Sequence, residues 1–407
     1  MSNLTQTQKV ILALTSASLF GKQVNIPADI DWWKVLEECG YQSVLVQVFA
    51  TAQPHLPEEI RKKWGMLCNR IIAKNTRVEW EHFELHKIMS QGNIPYVVMK
   101  GSASSMYYPD PSLRMMGDVD FLVSTENLQK ADELIVRAGF DRQETDEEKI
   151  HIAYHRSGVA VRSIWEMHWR ANGIPDTEVG AQIQRYMATA VDEAVLAETS
   201  EGAFMGPSRF HHGLIMLLHT ATHMINTGIG LRHLCDWAVF AASLSDEEFC
   251  DTFQEKLKKI GLWQFAQLLT QLSVAYLGCP ERVWAGSGDP NLMQAMIEDV
   301  FAGGNFGRKD EQRINQAKLI TNSGKAKVDE TSLLRQFVYT MNEKARSGFP
   351  ASARFPVLLP IGWFYVGVRH ILRIMTGRRP KIDINEMIFG ANKRKSIYKK
   401  FKLFEEE

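Results

Sequence analysis

The chain has 407 residues, long for one compact unit, so two or three units, each able to bury a core, are expected. Lys+Arg and Asp+Glu each count 47, which removes net charge as an argument for a nucleic-acid or acidic-lipid partner without excluding a local basic patch. The five cysteines are scattered, and none pairs at C-x-x-C spacing. That excludes zinc-ribbon and thioredoxin chemistry and suits reduced thiols in a cytoplasmic protein.

Residues 5–92 read as helical. Apolar residues recur at three-to-four spacing through Ile11, Leu12 and Leu14, and again at Val35 and Leu36. The N-terminus lacks a basic region followed by an apolar run, so it reads as an amphipathic helix rather than a signal peptide. Pro57 with Glu58 and Glu59 opens a long helix that reaches about Ser90, and Gly92-Asn93 stops it. A β-prone run, Tyr96 to Met99, follows and ends at Lys100-Gly101-Ser102. A turn-rich loop leads to a second predicted strand, Asp118 to Val123. Ser124-Thr125-Glu126 then caps a helix that reaches about Ala138, before Gly139. HIAYHR and VAVRSIWEMHWR flank Ser157-Gly158, the signal of a two-residue hairpin turn. Helical periodicity resumes from about 207 to 300.

The predicted fold class is α+β. A small mixed sheet lies within 93–205, flanked by helical regions at 1–92 and 206–345 and by a basic and apolar extension at 346–407. In that extension, FPVLLPIGWFYVGV is too short to cross a membrane, which takes about 20 apolar residues. It reads as a buried or interfacial element. Arg369, Arg373, Arg378, Arg379, Lys381, Lys393-Arg394-Lys395 and Lys399-Lys400 follow it. Such a tail is either solvated or a peripheral contact for anionic lipid or RNA.

Chemistry concentrates between residues 100 and 168. On a strand, Asp118 and Asp120 share one face while Val119, Phe121 and Val123 share the other. Two unit charges about 4 Å apart repel by roughly 4 kcal/mol at an effective dielectric of 20. A hard cation such as magnesium removes that penalty; a wet edge strand is the bland alternative. Gly101 permits close backbone approach, and the N–H groups after it, with the Ser102 hydroxyl, can cradle phosphate. Glu166 and His168 share a face of the strand Trp165-Glu166-Met167-His168-Trp169. Lys100 and Arg114 can neutralise triphosphate charge, though Arg114 is equally a solvated loop residue. His168 can orient Glu166, touch an acceptor or serve as a structural histidine. His219 and His223, four apart on a helix, read as packing or active-site wall, since no third zinc ligand is evident. Arg232 and Asp236 read as a helix salt bridge.

Taken together, Gly101-Ser102, the Asp118-Val119-Asp120-Phe121 strand and the later Glu166 resemble the signature of the DNA polymerase β-type nucleotidyltransferase superfamily. More narrowly, VVMKGSASSMYYPDPSLRMMGDVDFLV followed by E-x-H-W, with His219, His223 and LRHLCDW, resembles a bacterial family of uncharacterised nucleotidyltransferases. Fifteen residues separate Ser102 from Asp118, longer than the superfamily usually has; the narrower family shares the longer loop.

The resemblance implies two-metal phosphoryl chemistry. Asp118, Asp120 and Glu166 would be catalytic and hold two Mg2+ ions. Lys100, Gly101, Ser102 and Arg114 would bind a nucleoside triphosphate. His168 and His223 would stand near the acceptor. Pyrophosphate would leave and a nucleoside monophosphate would pass to a hydroxyl-bearing acceptor. The competing expectations are a nucleotide- or partner-binding protein of the same fold without catalysis, and a toxin–antitoxin-type enzyme modifying RNA or protein, marked by a basic groove beside the carboxylates.

Overall fold

The computed structural model describes residues 4–143, 150–156, 158, 163–310, 313, 333–349, 351–375 and 384–405. Four helices come first: α1 (Gln6–Phe20), α2 (Trp32–Gln42), α3 (Leu45–Ala52) and α4 (Glu58–Gln91). Thr5 and Gln8 form a capping box at the start of α1, and Asp31 caps α2. Glu58 and Glu59 occupy the first turn of α4, where the helix dipole favours them.

Strand β1 (Tyr96–Val98) and the short helix α5 (Ser102–Ser105) are followed by β2 (Val119–Val123), α6 (Leu128–Arg137), β3 (Phe140–Arg142), β4 (His151–Arg156) and β5 (Trp165–His168). These strands make one sheet in the order β1-β2-β5-β4-β3. β2 runs antiparallel to β1 and parallel to β5, and β4 is antiparallel to both β5 and β3. A helix α7 (Glu178–Met187) and a separate hairpin, β6 (Val195–Glu198) with β7 (Ala203–Gly206), complete this region. The chain then returns to helices: α8 (Arg209–Asn226), α9 (Leu231–Ala242), α10 (Trp263–Leu277), α11 (Pro290–Gly303), α12 (Leu333–Gly348), α13 (Leu359–Met375) and α14 (Ile384–Tyr398).

The strand alternation predicted from sequence divides the sheet between two cores. Val119, Phe121, Val123, Trp165 and Met167 point to one side, with Ile88 and Met89 of α4 and Ala131 and Ile135 of α6. Leu122, Val97 and Met99 point to the other, where they join the larger core of α1–α3 and α8–α11. Burying a large apolar side chain contributes about 1.5–3 kcal/mol, so both faces of the sheet are covered apart from the polar end that carries Asp118, Asp120 and Glu166. The α+β architecture is therefore as expected: a small mixed sheet with helical flanks.

Three local expectations need correction. Ser124 begins a single 3-10 turn, Thr125–Asn127, and α6 starts only at Leu128. The register pairs Tyr154 with Trp165, whereas a two-residue turn at Ser157-Gly158 would pair Tyr154 with Val161; residues 157 and 159–162 lie outside the described residues. Of the two readings of the apolar segment at 355–368, buried or interfacial, the first falls: the segment forms a short 3-10 turn and the first part of α13, with Val357 82% and Phe364 75% exposed. No described helix is long and apolar enough to cross a membrane.

Candidate functional site

The site lies where β1 ends and β2 begins, against α8 and α9. β1 ends at Val98, and Met99 still donates its N–H to the Asp120 carbonyl at 2.9 Å. The chain then turns at Gly101, whose φ of 63° is in the left-handed region. A Cβ there would stand 2.7 Å from His82 Cε1, so Gly101 is required both by conformation and by the close approach of α4.

Ser102 begins α5, but its hydroxyl does not face the cleft. It is buried and pairs with His82 Nδ1 at 3.0 Å. Ser104, two residues on, lines the cleft instead. Burial drives the pKa of His82 down to about 4, so this imidazole stays neutral near pH 7.

Asp120 is the most enclosed of the predicted carboxylates. Its Oδ2 lies 3.0 Å from Lys100 Nζ, and its Oδ1 lies 3.4 Å from His168 Nε2. Burial opposes its charge, but Lys100 and His168 outweigh burial and hold the carboxyl well below the usual range. Asp118, just before the strand, is exposed at the cleft mouth. Partial desolvation by the cleft walls, then the negative charges of Asp120 and Glu166, push its pKa up.

The parallel register sets Glu166 beside Asp120 and His168 beside Leu122. The neighbouring antiparallel register sets His151 opposite His168. His168 Nε2 is 3.4 Å from Glu166 Oε2 as well as from Asp120. Neither contact has hydrogen-bond alignment, and both ring nitrogens are buried without a hydrogen-bond partner. Burial disfavours the His168 cation, yet the two carboxylates prevail and raise its pKa.

Two connected hollows meet at Lys100, Asp118, Asp120, His219 and Phe306. The first, about 300 Å³, is rich in cations: Lys74, Lys100, Arg114, Arg232 and Arg308 line it. The second, about 420 Å³, is lined by Glu166, His151, His168, His219 and His223, with Asn172, Ile215 and Leu218. The predicted residues other than Ser102 therefore gather around one cleft.

Arg114 is neither a solvated loop residue nor a free cation. It is buried and makes a two-pronged pair with Asp236, Nε to Oδ1 at 2.7 Å and Nη2 to Oδ2 at 2.8 Å. Its Nη1 also donates to the Gly101 carbonyl at 3.3 Å, so it ties the glycine turn to α9. This overturns the pairing of Asp236 with Arg232 inferred from helix spacing. Arg232 instead donates Nη1 to the Met115 carbonyl at 3.2 Å, and its Nε is buried with no hydrogen-bond partner. Burial and the nearby Arg114 lower its pKa, the mark of a cation short of negative charge.

His219 and His223 form a cluster with His233 and Phe306, with ring centroids 4.4 Å apart for the first pair. Burial depresses all three pKa values, His223 down to about 3, so they are neutral wall residues. Spacing within α8 predicted the first pair. His233, from α9, could be placed only by knowing how α8 and α9 pack. His151, Lys74 and Arg308 were missed for the same reason: each reaches the cleft from an element distant in sequence.

A glycine turn after an edge strand, acidic residues on the neighbouring strand and a further acid on its parallel partner define the class of nucleotidyltransferase-type α+β proteins. The chain belongs to a family described as uncharacterised nucleotidyltransferases, whose model matches residues 28–278. No curated protein and no solved structure matches the chain. Family membership makes the protein a transferase of that class.

Proposed function

We propose that the protein transfers a nucleoside monophosphate from a nucleoside triphosphate to a hydroxyl-bearing acceptor, with Mg2+ bound by Asp118 and Asp120 and Glu166 as the third carboxylate. The observation that carries this reading is the placement of Asp118 and Asp120 at the junction of a cation-lined hollow and a histidine-lined one. A volume of about 300 Å³ is at the lower end of ligand-sized pockets.

The donor set fits a hard cation. Asp118 presents a solvent-facing carboxylate, and Lys100 and His168 favour the ionised form of Asp120. When bound, magnesium would screen the triphosphate and stabilise charge on the entering and leaving oxygens. The chain's own groups do the rest. Lys100, with the exposed Lys74 and Arg308, attracts the phosphates. Arg232 offers a guanidinium with an unmet donor. The turn at Gly101, held by Arg114, brings backbone close to the phosphate chain. The acceptor would enter from the histidine side, where the neutral imidazoles of His219 and His223 and the apolar Ile215 and Leu218 exclude water.

Incubating purified protein with each labelled nucleoside triphosphate, Mg2+ and a cell extract, then weighing whatever gains a nucleotidyl mass, tests the reading. Transfer that disappears in Asp120→Ala supports it. Full turnover in Asp118→Ala or Asp120→Ala overturns the assignment of the site. Nucleotide binding without pyrophosphate release across acceptors would favour a binding protein instead.

We also propose that the C-terminal region contacts an anionic membrane surface. Val357, Ile361, Phe364, Tyr365 and Val368 are exposed along one helical face, and Phe355 extends it. No acidic residue occurs between Glu343 and Asp383, whereas Arg354, Arg369, Arg373, Arg378 and Arg379 do. An exposed apolar face with Arg354 and Arg369 exposed at its two ends, in a stretch of sequence free of acids, suits an interfacial helix on acidic lipid. Co-sedimentation with phosphatidylglycerol vesicles, absent with phosphatidylcholine and lost in Phe364→Glu, is the expected outcome. Equal sedimentation with both lipids, or none, would refute it.

A further inference from the structure

Sheet register brings a second set of ligands together on the acceptor side. His168 and Glu166 lie two apart on β5 and share a face, and His151 lies directly opposite His168 on β4. One ligand atom from each of the three lies within 4.8 Å of the others. Measured contacts are 3.4 Å from His168 Nε2 to Glu166 Oε2 and 3.9 Å from His151 Nε2 to Glu166 Oε1. Metal bonds of about 2.0–2.1 Å to nitrogen and oxygen set tetrahedral ligand atoms roughly 3.4 Å apart. Small side-chain rotations on a fixed sheet would close the set.

The second observation is the state of His168. Its side chain is 4% exposed, and neither ring nitrogen has a hydrogen-bond partner. A buried imidazole with both nitrogens unmet is expensive, and such groups call for an explanation. Its Nε2 points among carboxylate oxygens of Asp120 and Glu166. Across this polar end, Lys100 is the cation in direct contact with an acid, facing Asp120, while Glu166 is approached by two imidazoles.

We propose that His151, Glu166 and His168 bind one divalent transition-metal cation of the Mn2+, Co2+ or Zn2+ type, beside the Mg2+ ligands Asp118 and Asp120, with Glu166 as the carboxylate that both sets can use. Ligand chemistry separates the two. Magnesium takes oxygen ligands and keeps much of its water, whereas imidazole nitrogen favours the later first-row ions. Two histidines and one carboxylate on one face leave coordination positions open toward the histidine-lined hollow, where an acceptor oxygen could bind. The site does not depend on the nucleotide-transfer reading, because sheet register alone brings its three ligands together.

The test is equilibrium dialysis and visible spectroscopy of the full-length, chelator-treated protein with Co2+ and no nucleotide. One equivalent of Co2+, giving ligand-field absorption and persisting in millimolar Mg2+, is expected. His151→Ala should weaken binding at least tenfold, while Asp118→Ala retains it. His151 is partly exposed on its strand, so this variant is the informative one; His151→Gln with an unchanged thermal melt controls for folding. Co2+ uptake that Mg2+ abolishes, or that His151→Ala and His151→Gln leave unchanged, would overturn the site. Absence of nucleotide turnover would bear on the transferase reading alone, since the titration contains no triphosphate.

Discussion

The two hollows that meet at Asp118 and Asp120 are built from opposite chemistry. One collects lysine and arginine from α4, the loop before β2, α9 and the segment after α11. The other collects histidines from β4, β5 and α8, of which burial holds the α8 pair, His219 and His223, without charge. The contrast teaches how a nearly neutral chain makes a strongly polar site. Charge is concentrated by packing distant elements around a short strand, and the acids sit on the boundary. Substitutions on either side should therefore separate phosphate binding from acceptor handling, and substitutions at the boundary should abolish both.

The boundary should give the largest effect. Asp120→Ala removes the carboxylate that Lys100 and His168 surround. We expect nucleotide turnover to fall at least a thousandfold, about 4 kcal/mol in the barrier, with the circular-dichroism spectrum retained. Residual turnover above a tenth of the parent would erase the distinction between boundary and wall.

Next comes the girder of the cationic side. Arg114→Ala would leave Asp236 buried beside Tyr108, whose hydroxyl donates to it at 2.7 Å. Breaking a buried ion pair by removing one partner costs about 3–5 kcal/mol, so denaturant unfolding should show a loss near the lower figure, about 3 kcal/mol. An unchanged unfolding midpoint with a raised nucleotide KM would mean that Arg114 is a phosphate ligand after all.

The histidines should make stability fall with acid. His82, His212 and His223 are buried, and desolvation depresses their pKa values to about 4, 3 and 3 respectively. Their ordinary value is 6.5, so an unfolded chain takes up protons that the folded chain refuses. Their contribution is intact above pH 6.5 and is lost as pH falls toward the folded values. From pH 7.5 to 5 each should cost about 2 kcal/mol, read as a falling midpoint. His82→Gln should flatten part of that slope; a slope identical to the parent would show that His82 is protonated in the folded state.

How much of this was visible in the sequence follows from range. Gly101, Asp118, Asp120 and Glu166 could be singled out because strand alternation and a turn glycine are local signals. The Trp165, Phe121 and Val119 faces followed from the same alternation. Pairings across the fold could not be read that way. Arg232 and Asp236 have the right helical spacing, yet Asp236 takes Arg114, 122 positions away, because Arg114 lies across the cleft with a planar fork to match. Ser102 looked like a phosphate donor, but the close packing of α4 against Gly101 captures its hydroxyl on His82. His151 was invisible as a site residue because its placement depends on a β4–β5 register that differs from the one a turn at Ser157-Gly158 would set.

The mildest perturbation sharpens the comparison most. Lys74 and Arg308 are exposed at the rim of the cationic hollow, and no structural pair depends on them in the way that Asp236 depends on Arg114. Lys74→Ala or Arg308→Ala should therefore leave the fold intact and weaken triphosphate attraction alone. A rim cation contributes uniformly to ground state and transition state, so KM for nucleotide should rise about tenfold, 1.4 kcal/mol, with kcat unchanged. The effect should shrink as salt rises, because the Debye length falls from about 10 Å at 0.1 M to about 3 Å at 1 M. A matching rise in KM for the acceptor would place the acceptor on the cationic side, and the division of labour between the hollows would have to be reversed.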